Sequence, residues 1–498
     1  MTETAIEPTE GALPQDSEVL RRVTQMLTTL TEDGQYYNEL HQYAIGEQLD
    51  IRIPQHADQT IRNIAKRAVA NFLPLAIAVP AQLSFVDGYY RMSESEDRLL
   101  TSPPEWRVWN RSGLRAKQTT LFKTALKYGV AYLALDDIGT DDMRLNLLST
   151  RNTMAYFNDP VNDFTPAYAL TKLPKMSPAD PEVIIYYDRE VVMRIERHGA
   201  EYFVAASNNH NLGACPVVRY PCYIDDEGTT SGVVEQLRVP QSRINQTVFD
   251  LLLTQTFSSA RVRYAAGLQG DPVLDENGLP TKDENGFLVF KPLQVDQSRL
   301  LLTDNPDAKF GTLEETPLNG FIDSFDSAVK TLAVLGSIPP HSLLGSMANL
   351  SGETISAAMG QTSRHTHMLK TAWAESIKET MRLVRLAIGE VAGDDYDDEV
   401  RWRDMGDDSI AQISDALGKI ATNLQVPVQG LWSRIPGATD AEVLKWKLLK
   451  DTQDQLEAEG ALDVDGAAER EADRIDIYGS VSLDEPEESR DSLSLGAS

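Results

Sequence analysis

Residues 338–355 have the sequence IPPHSLLGSMANLSGETI, which begins with a double proline and ends where a helical pattern starts. Pro339 and Pro340 exclude a continuous helix at this point, because proline lacks the backbone N–H and restricts the residue before it. The residues that follow, 341–349, are small, apolar or polar, without Lys, Arg, Asp or Glu. The stretch therefore predicts an uncharged, flexible loop between two helices.

Both sides of this loop have helical periodicity. An amphipathic helix is predicted from about Leu318 to Leu335, and a very long helix from about Gly352 to Val391. Farther upstream, residues 232–257 form another amphipathic segment, which Pro240 is expected to interrupt. A small β-rich insertion, 267–302, separates the two amphipathic segments. Such segments leave large apolar patches on a lone subunit, unless neighbouring copies cover them or the two helices cover each other.

Residues 17–231 are predicted to form an α+β block. Apolar residues at helical spacing predict helices from Ser17 onwards, at 58–72 and at 105–128. Apolar stretches with a β pattern, separated by turn signals, predict strands at 130–136, 141–148, 168–173, 183–187, 191–196 and 202–205. Residues 409–450 again have a helical pattern. The first 16 residues and the acidic, Ser-rich residues 461–498 are expected to be disordered.

The charge balance limits how the protein can contact DNA. Asp and Glu number 75 against 46 Lys and Arg, which gives a net charge of -29. A protein that grips DNA through its phosphates needs a basic surface, so any contact is loose or confined to a small basic patch. Solubility alone would also account for the acidity. Two cysteines indicate a reducing compartment, and no signal peptide and no apolar run of about 18 residues is found, so no membrane contact is expected.

The motifs of common enzymes are missing from the sequence. It contains no phosphate-binding glycine loop, no dinucleotide-binding glycine turn, no nucleophile elbow and no HExxH pair. Cys215, Cys222 and His210 lack the spacing and the fourth ligand of a closed zinc site. His365 and His367, two residues apart on a helix, face different directions. We therefore expect no enzymatic activity, no metal and no cofactor; a metal-dependent nuclease using scattered carboxylates is the less favoured alternative.

Four stretches carry a resemblance to a known family. They are YYNELHQYAIG at 36–46, LGACPVV at 212–218, the segment from Gly232 to Thr247, and the run from Ile338 to Ile355. In the last of these, Thr354 stands where alanine is usual. Their order and spacing resemble the portal proteins of siphophage-type tailed phages, related to the portal of a Bacillus phage. The resemblance covers about residues 36–390, and the part after residue 400 carries no signature of it.

The resemblance implies a helix-rich α+β portal fold with named regions. Its implied boundaries are a wing at 17–231, a first stem helix at 232–266, a clip at 267–317, a second stem helix at 318–337, a tunnel loop at 338–351, a wing-spanning helix at 352–405 and a crown at 406–460. It also implies tunnel-loop residues that face DNA: His341, Ser342, Ser346, Met347 and Asn349.

The resemblance further implies a function and partners. Twelve copies would form a ring with a central channel at one capsid vertex, through which double-stranded DNA passes during packaging and ejection without sequence specificity. The expected partners are the major capsid protein, the large terminase subunit and a head–tail adaptor. The expected locations are the virion and, during assembly, the host cytoplasm. Another head–tail connector or a minor capsid protein is the main alternative.

Overall fold

The computed structural model describes residues 14–48, 50–91, 103–199, 201–258, 263–266, 272–275, 278–283, 285–290, 309–312, 317–345, 352–390, 398–403, 410–435, 438 and 440–458. The chain divides into two units, residues 1–405 and 406–498. Helices dominate the first unit and accompany several antiparallel sheets, which confirms the predicted helix-rich α+β class.

The chain begins with three helices: α1 (Pro14–Ile45), α2 (Gln59–Arg67) and α3 (Leu73–Leu83). The first starts within the segment predicted to be a disordered arm, and residues 1–13 lie outside the described residues. The prediction of one helix at 58–72 was wrong at its end, and α3 was not foreseen. Pro74 does not terminate a helix but occupies the first turn of α3, where its missing N–H costs nothing.

Strand β1 (Val86–Tyr90) leads to helices α4 (Pro104–Arg111) and α5 (Leu114–Tyr128). A single helix was predicted over both of them. The break is at Gly113, whose φ of +70° belongs to the left-handed region that favours glycine. Gly129 (φ +89°) ends α5 as expected, and a Cβ there would lie 2.9 Å from the backbone carbon of Ser231.

Two antiparallel sheets form the β part of the block. One has the strand order β3-β2-β9, and the other is a meander with the order β4-β5-β6-β7-β8. Their strands are β2 (Val130–Asp136), β3 (Arg144–Leu148), β4 (Thr153–Tyr156), β5 (Tyr168–Lys172), β6 (Glu182–Tyr187), β7 (Val191–His198), β8 (Glu201–Asn209) and β9 (Val217–Pro221). A short pair, β10 (Tyr223–Ile224) and β11 (Thr230–Ser231), follows. All six predicted strands are confirmed to within a few residues.

Both faces of the central strands of the five-stranded sheet are buried, whereas the edge strand β8 is largely exposed. Apolar residues of α1, including Val23 and Met26, cover one face by packing on Ile184 and Tyr186. The other face packs against the three-stranded sheet. The unbroken apolar run of β6, residues 183–187, thus serves two cores rather than one core and solvent.

The remaining elements of the first unit are α6 (Val233–Ser258), β12 (Arg263–Ala266), β13 (Lys309–Thr312), α7 (Asn319–Leu335), α8 (Pro340–Leu344), α9 (Gly352–Ile388) and β14 (Glu399–Trp402). Strands β12 and β13 pair antiparallel, and isolated bridges such as Lys282 with Leu288 occur between them. The predicted interruption of α6 at Pro240 was wrong. The helix continues through it, because one proline removes a single hydrogen bond from a long helix.

The implied wing-spanning region, 352–405, is not one helix throughout, whereas the very long helix predicted from about Gly352 to Val391 is confirmed to within three residues. It ends at Ile388, where Gly389 adopts a φ of +87°, and the chain returns as β14, antiparallel to β1. Tyr89 pairs with Val400 in this two-stranded sheet, and both are buried. The strand was not foreseen, because its partner lies about 310 residues earlier and contributes no local pattern.

The second unit is helical, as predicted. It comprises α10 (Ile410–Leu424), α11 (Val428–Leu431) and α12 (Asp440–Ala458). Gln425 with φ +54° and Pro427 end α10. Trp432 and Trp446 meet edge to face with their ring centres 6.5 Å apart, and residues 459–498 lie outside the described residues.

Candidate functional site: the α6–α7 helix pair

Helices α6 and α7 lie antiparallel along one apolar seam. Ile244 of α6 packs with Val329 and Leu332 of α7, and all three are fully buried. Leu237, earlier in α6, approaches Gly336 at the end of α7, whereas Val248 lies beside Phe325. Each helix therefore covers part of the other, which was one of the two alternatives that the sequence left open.

The outer surface of this pair remains apolar and exposed. Val239 of α6 is 72% exposed, and Val334 and Leu335 of α7 are 57% and 55% exposed. Phe257 and Ile322 are also exposed. A shallow groove beside α7 includes Val334 and Leu335 together with charged residues. Single exposed apolar residues are ordinary, but several on one helix pair are typical of a surface that contacts another protein.

A tight turn ends α7. The Ile338 N–H donates to the carbonyl of Ala333 at 2.9 Å, and the Ser337 N–H donates to that of Val334 at 3.2 Å. These two bonds form a Schellman motif, a common C-terminal cap of α-helices in which the residue after the last helical turn adopts a positive φ. Here that residue is Ser337 (φ +54°), where glycine is common, so the turn holds a conformation that costs about 1 kcal/mol for a non-glycine residue.

Helix α9 holds this turn in place. The Thr362 hydroxyl donates to the Ser337 carbonyl at 2.6 Å, and the Gln361 amide lies 3.4 Å from the Val334 carbonyl. Thr362 thus gives the Ser337 carbonyl a partner, and Gln361 adds a second donor to the Val334 carbonyl. The end of the helix pair is thereby joined to α9, the longest helix among the described residues.

The predicted tunnel loop, 338–351, contains a short helix. Pro339 precedes α8, and Pro340 occupies its first turn, so the double proline starts a helix, whereas α7 has already ended at the turn of Gly336 and Ser337. His341 is half-buried and Ser342 is exposed within α8. The other residues predicted to face DNA, Ser346, Met347 and Asn349, lie outside the described residues. The expectation of a flexible loop was therefore wrong for 340–344.

Two buried amide side chains of α6, Gln241 and Asn245, anchor this helix to the backbone at 70–72. Gln241 donates to the Ala70 carbonyl at 2.7 Å and accepts from the Phe72 N–H at 3.0 Å. Asn245 accepts from the Ala70 N–H at 3.1 Å and from Gln241 at 2.9 Å. Together they satisfy the backbone between α2 and α3, which would otherwise be buried without partners. This clamp was not foreseen from the sequence, although its two amides stand one helical turn apart.

A buried ionic cluster connects α9 to the rest of the block. Arg385 donates to Asp398 at 3.0 Å, and Tyr89 donates to the same carboxylate at 2.5 Å. Nearby, Arg91 donates to Glu105, whose side chain has no exposed surface. Burial and the bond to Asp398 raise the pKa of Tyr89, so its hydroxyl remains a donor. Removing one member would leave a buried charge without its partner.

The candidate metal ligands do not come together. Cys215 and Cys222 are buried free thiols, and burial raises the pKa of both. His210 bonds to the backbone carbonyl of Asp188, and His365 lies 2.5 Å from the Tyr223 hydroxyl, whereas His367 is exposed. Across the described residues, no group of three or more His, Cys, Asp or Glu is arranged to hold a metal ion.

Membrane-spanning helices are also not found in the described part of the chain: none is long and apolar enough to cross a bilayer.

Three comparisons relate the chain to known proteins. No curated protein matches it. Among solved structures, one described as "Virion of native gene transfer agent (GTA) particle" is similar with a TM-score of 0.43 and 11% identity, over 80% of this chain and 98% of that one. Another, "Neck of empty GTA particle computed with C6 symmetry", has a TM-score of 0.45 and 11% identity, over 77% and 95% of the two chains.

The family model described as "Phage portal protein, SPP1 Gp6-like" matches residues 16–456. This match spans the α+β block, the α6–α7 pair, α9 and the helices of the second unit. It agrees with the resemblance found in the sequence. The chain belongs to the SPP1-like family of phage portal proteins.

Proposed function

We propose that this protein forms a homododecameric ring at one capsid vertex, with a central channel through which DNA enters during packaging and leaves during ejection. Membership of the portal family supports this role. The observation that carries it is the α6–α7 pair, which keeps an apolar outer face after the two helices have covered each other. In the ring, neighbouring copies cover that face.

The regions of the chain then take the roles of a portal. The block at 17–231 is the wing, α6 and α7 are stem helices within 232–266 and 318–337, and 267–317 is the clip. During packaging the large terminase subunit docks on the clip, and a head–tail adaptor docks there afterwards. The major capsid protein surrounds the ring, and 406–460 forms the crown. The protein assembles in the host cytoplasm and ends in the virion.

The acidity of the chain suits a channel that does not hold DNA. Tight phosphate contacts would have to be broken at every step of translocation. A net charge of -29 on each of twelve copies repels the backbone and favours free passage without sequence specificity, where those charges face the channel. The DNA-facing residues are His341, Ser342, Ser346, Met347 and Asn349.

Images of the purified full-length protein test the ring directly. Negative-stain electron microscopy should show rings of about twelve copies with a central hole, and mass photometry should give the corresponding mass. A smaller head–tail connector would give a ring without the stem and clip profile. A persistent monomer at high concentration, also in infected cells, would overturn the proposal.

The tunnel assignment has its own test. Replacing Ser346 and Met347 by arginine should slow or stop DNA packaging, because each copy would add two phosphate-binding charges at the narrowest part of the channel. Unchanged packaging would contradict this assignment. No catalytic role is proposed, and the purified protein should not cleave DNA in the presence of Mg²⁺ or Mn²⁺.

A further inference from the structure

Three basic side chains from separate elements meet on the surface of the first unit. His41 lies near the end of α1, Lys127 in the last turn of α5, and Arg151 in the short turn at 150–152. The Lys127 Nζ lies 2.5 Å from the His41 Nδ1, and the Tyr128 hydroxyl lies 3.2 Å from the same nitrogen. His41 and Lys127 are half-buried and Arg151 is exposed, so solvent reaches the cluster.

The Lys127 Nζ and the Tyr128 hydroxyl both contact the His41 Nδ1, so this edge of the imidazole faces the cluster. Burial lowers the pKa of His41, and the charges of Lys127 and Arg151 lower it further, against the opposing effect of Glu47. Burial and Arg151 also lower the pKa of Lys127. The groups therefore repel one another's positive charge.

Apart from Glu47, which acts on His41, the described residues give the cluster no carboxylate partner. Within the described residues, neither Lys127 nor Arg151 forms a salt bridge. Their contacts are neutral: Lys127 meets an imidazole and the face of Tyr128, and Arg151 donates to the Asn38 amide oxygen at 2.5 Å. The end of α5 favours one cation, but it does not account for a second. In a chain with 75 acidic residues, this arrangement indicates a site for an external anion.

We propose that Lys127 and Arg151, with His41 beside the ammonium, bind a phosphate group, supplied either by free inorganic phosphate or by the DNA backbone. A phosphate offers several oxygen acceptors, which suits charged donors that arrive from separate elements. The Arg151 guanidinium and the Lys127 ammonium supply the charge and the hydrogen bonds, and the His41 ring contacts the ammonium. This inference is independent of the ring, since all three side chains belong to one subunit.

Calorimetric titration of the full-length protein with inorganic phosphate tests the site. Lys127→Gln and Arg151→Gln should each weaken binding at least about tenfold, because each removes a charge-assisted hydrogen bond. Lys123→Gln is the matched control, since Lys123 is an exposed lysine one turn earlier on α5. Arg151→Lys, which keeps the charge, should retain more of the affinity than Arg151→Gln. Circular dichroism checks that each variant is folded.

A second titration with a short DNA duplex distinguishes the two sources. Binding of the duplex, with competition by phosphate, identifies the DNA backbone as the ligand. Binding of phosphate without binding of the duplex identifies free phosphate. If neither binds, or if the double variant with glutamine at 127 and 151 binds phosphate as well as the unchanged protein does, the proposal is wrong.

Discussion

Trp373, in the middle of α9, has no exposed surface, whereas Val334 and Leu335, at the end of α7, expose more than half of theirs. Trp373 stacks on Phe122 with ring centres 4.4 Å apart and donates its indole N–H to the Pro221 carbonyl at 2.8 Å. The apolar side of α9 is thus fully buried within one subunit. The α6–α7 pair buries only the seam between its two helices, and the exposed side chains on its outer face add little to the free energy of folding.

This difference separates two roles of apolar residues in one chain. Burial removes apolar surface from water and stabilises the fold by about 25 cal/mol per Å². The same surface left exposed stabilises nothing until a partner covers it. The two regions should therefore respond differently to substitution: the core in the free energy of unfolding, and the outer face in association.

The largest effect is expected in the α9 core. Trp373→Ala should lower the free energy of unfolding of the first unit by about 3–5 kcal/mol, because it leaves a cavity and an unpaired carbonyl. Urea unfolding followed by circular dichroism measures this loss. Met368→Ala, on the same helix but 50% exposed, serves as the control and should change stability by less than about 0.5 kcal/mol. Equal effects of the two would remove the contrast.

Substitution of Gln241, which anchors α6 to the backbone at 70–72, should lower the free energy of unfolding less strongly. Gln241→Ala leaves the Ala70 carbonyl and the Phe72 N–H buried without their partner, which should cost about 1–3 kcal/mol. Gln236→Ala, five residues earlier and exposed, is the matched control in the same unfolding experiment. A loss below about 0.5 kcal/mol would mean that water replaces the amide and that the clamp does not hold α6.

The turn at the end of α7 predicts a gain. Ser337→Gly should raise the free energy of unfolding by up to about 1 kcal/mol, since glycine adopts a φ of +54° without strain. Gly336→Ala should act in the opposite direction, because its Cβ would lie 3.0 Å from Leu237 and 3.2 Å from the Leu332 carbonyl. Thermal unfolding distinguishes the two variants, and a stabilising Gly336→Ala would contradict the geometry of the turn.

The smallest effect on a single subunit is expected on the outer face. Val334→Ser combined with Leu335→Ser should change the free energy of unfolding by less than about 1 kcal/mol, because both side chains are already in contact with water. The same double variant should weaken association of the subunits, as measured by mass photometry. Val329→Ser, on the buried side of α7, is the contrasting variant and should destabilise the subunit itself.

Local patterns predicted the helices and strands well. Apolar spacing placed α6 and α7 within about one residue of their ends, and a continuous apolar run placed β2 at its observed bounds. The errors occurred at proline and glycine, because either residue can stand at the start, at the end or in the interior of a helical segment. Pro74 and Pro340 begin helices rather than ending them, and Gly113 separates two helices that share one pattern.

The side chains that hold the candidate site together were not predictable. Gln241 with the backbone at 70–72, and Thr362 with Ser337, are contacts between residues far apart in sequence. Arg385 and Asp398 meet Tyr89 only because β14 returns to β1. The apolar outer face was foreseen from amphipathic spacing. The basic cluster at His41, Lys127 and Arg151 was not, since each residue stands alone in the sequence.

The close approach of Gly129 and Gly232 lies at the start of α6, so a small change there would shift the far end of that helix. A Cβ at Gly232 would lie 2.7 Å from both the Gly129 nitrogen and the Leu126 carbonyl oxygen, so main chain meets main chain where α6 begins. With 26 residues, α6 is about 39 Å long. If a methyl group at Gly232 tilted α6 by roughly 5°, the C-terminal end of the helix would move by about 3 Å. The absence of side chains at Gly129 and Gly232 therefore helps to fix the direction of α6 and the position of its far end.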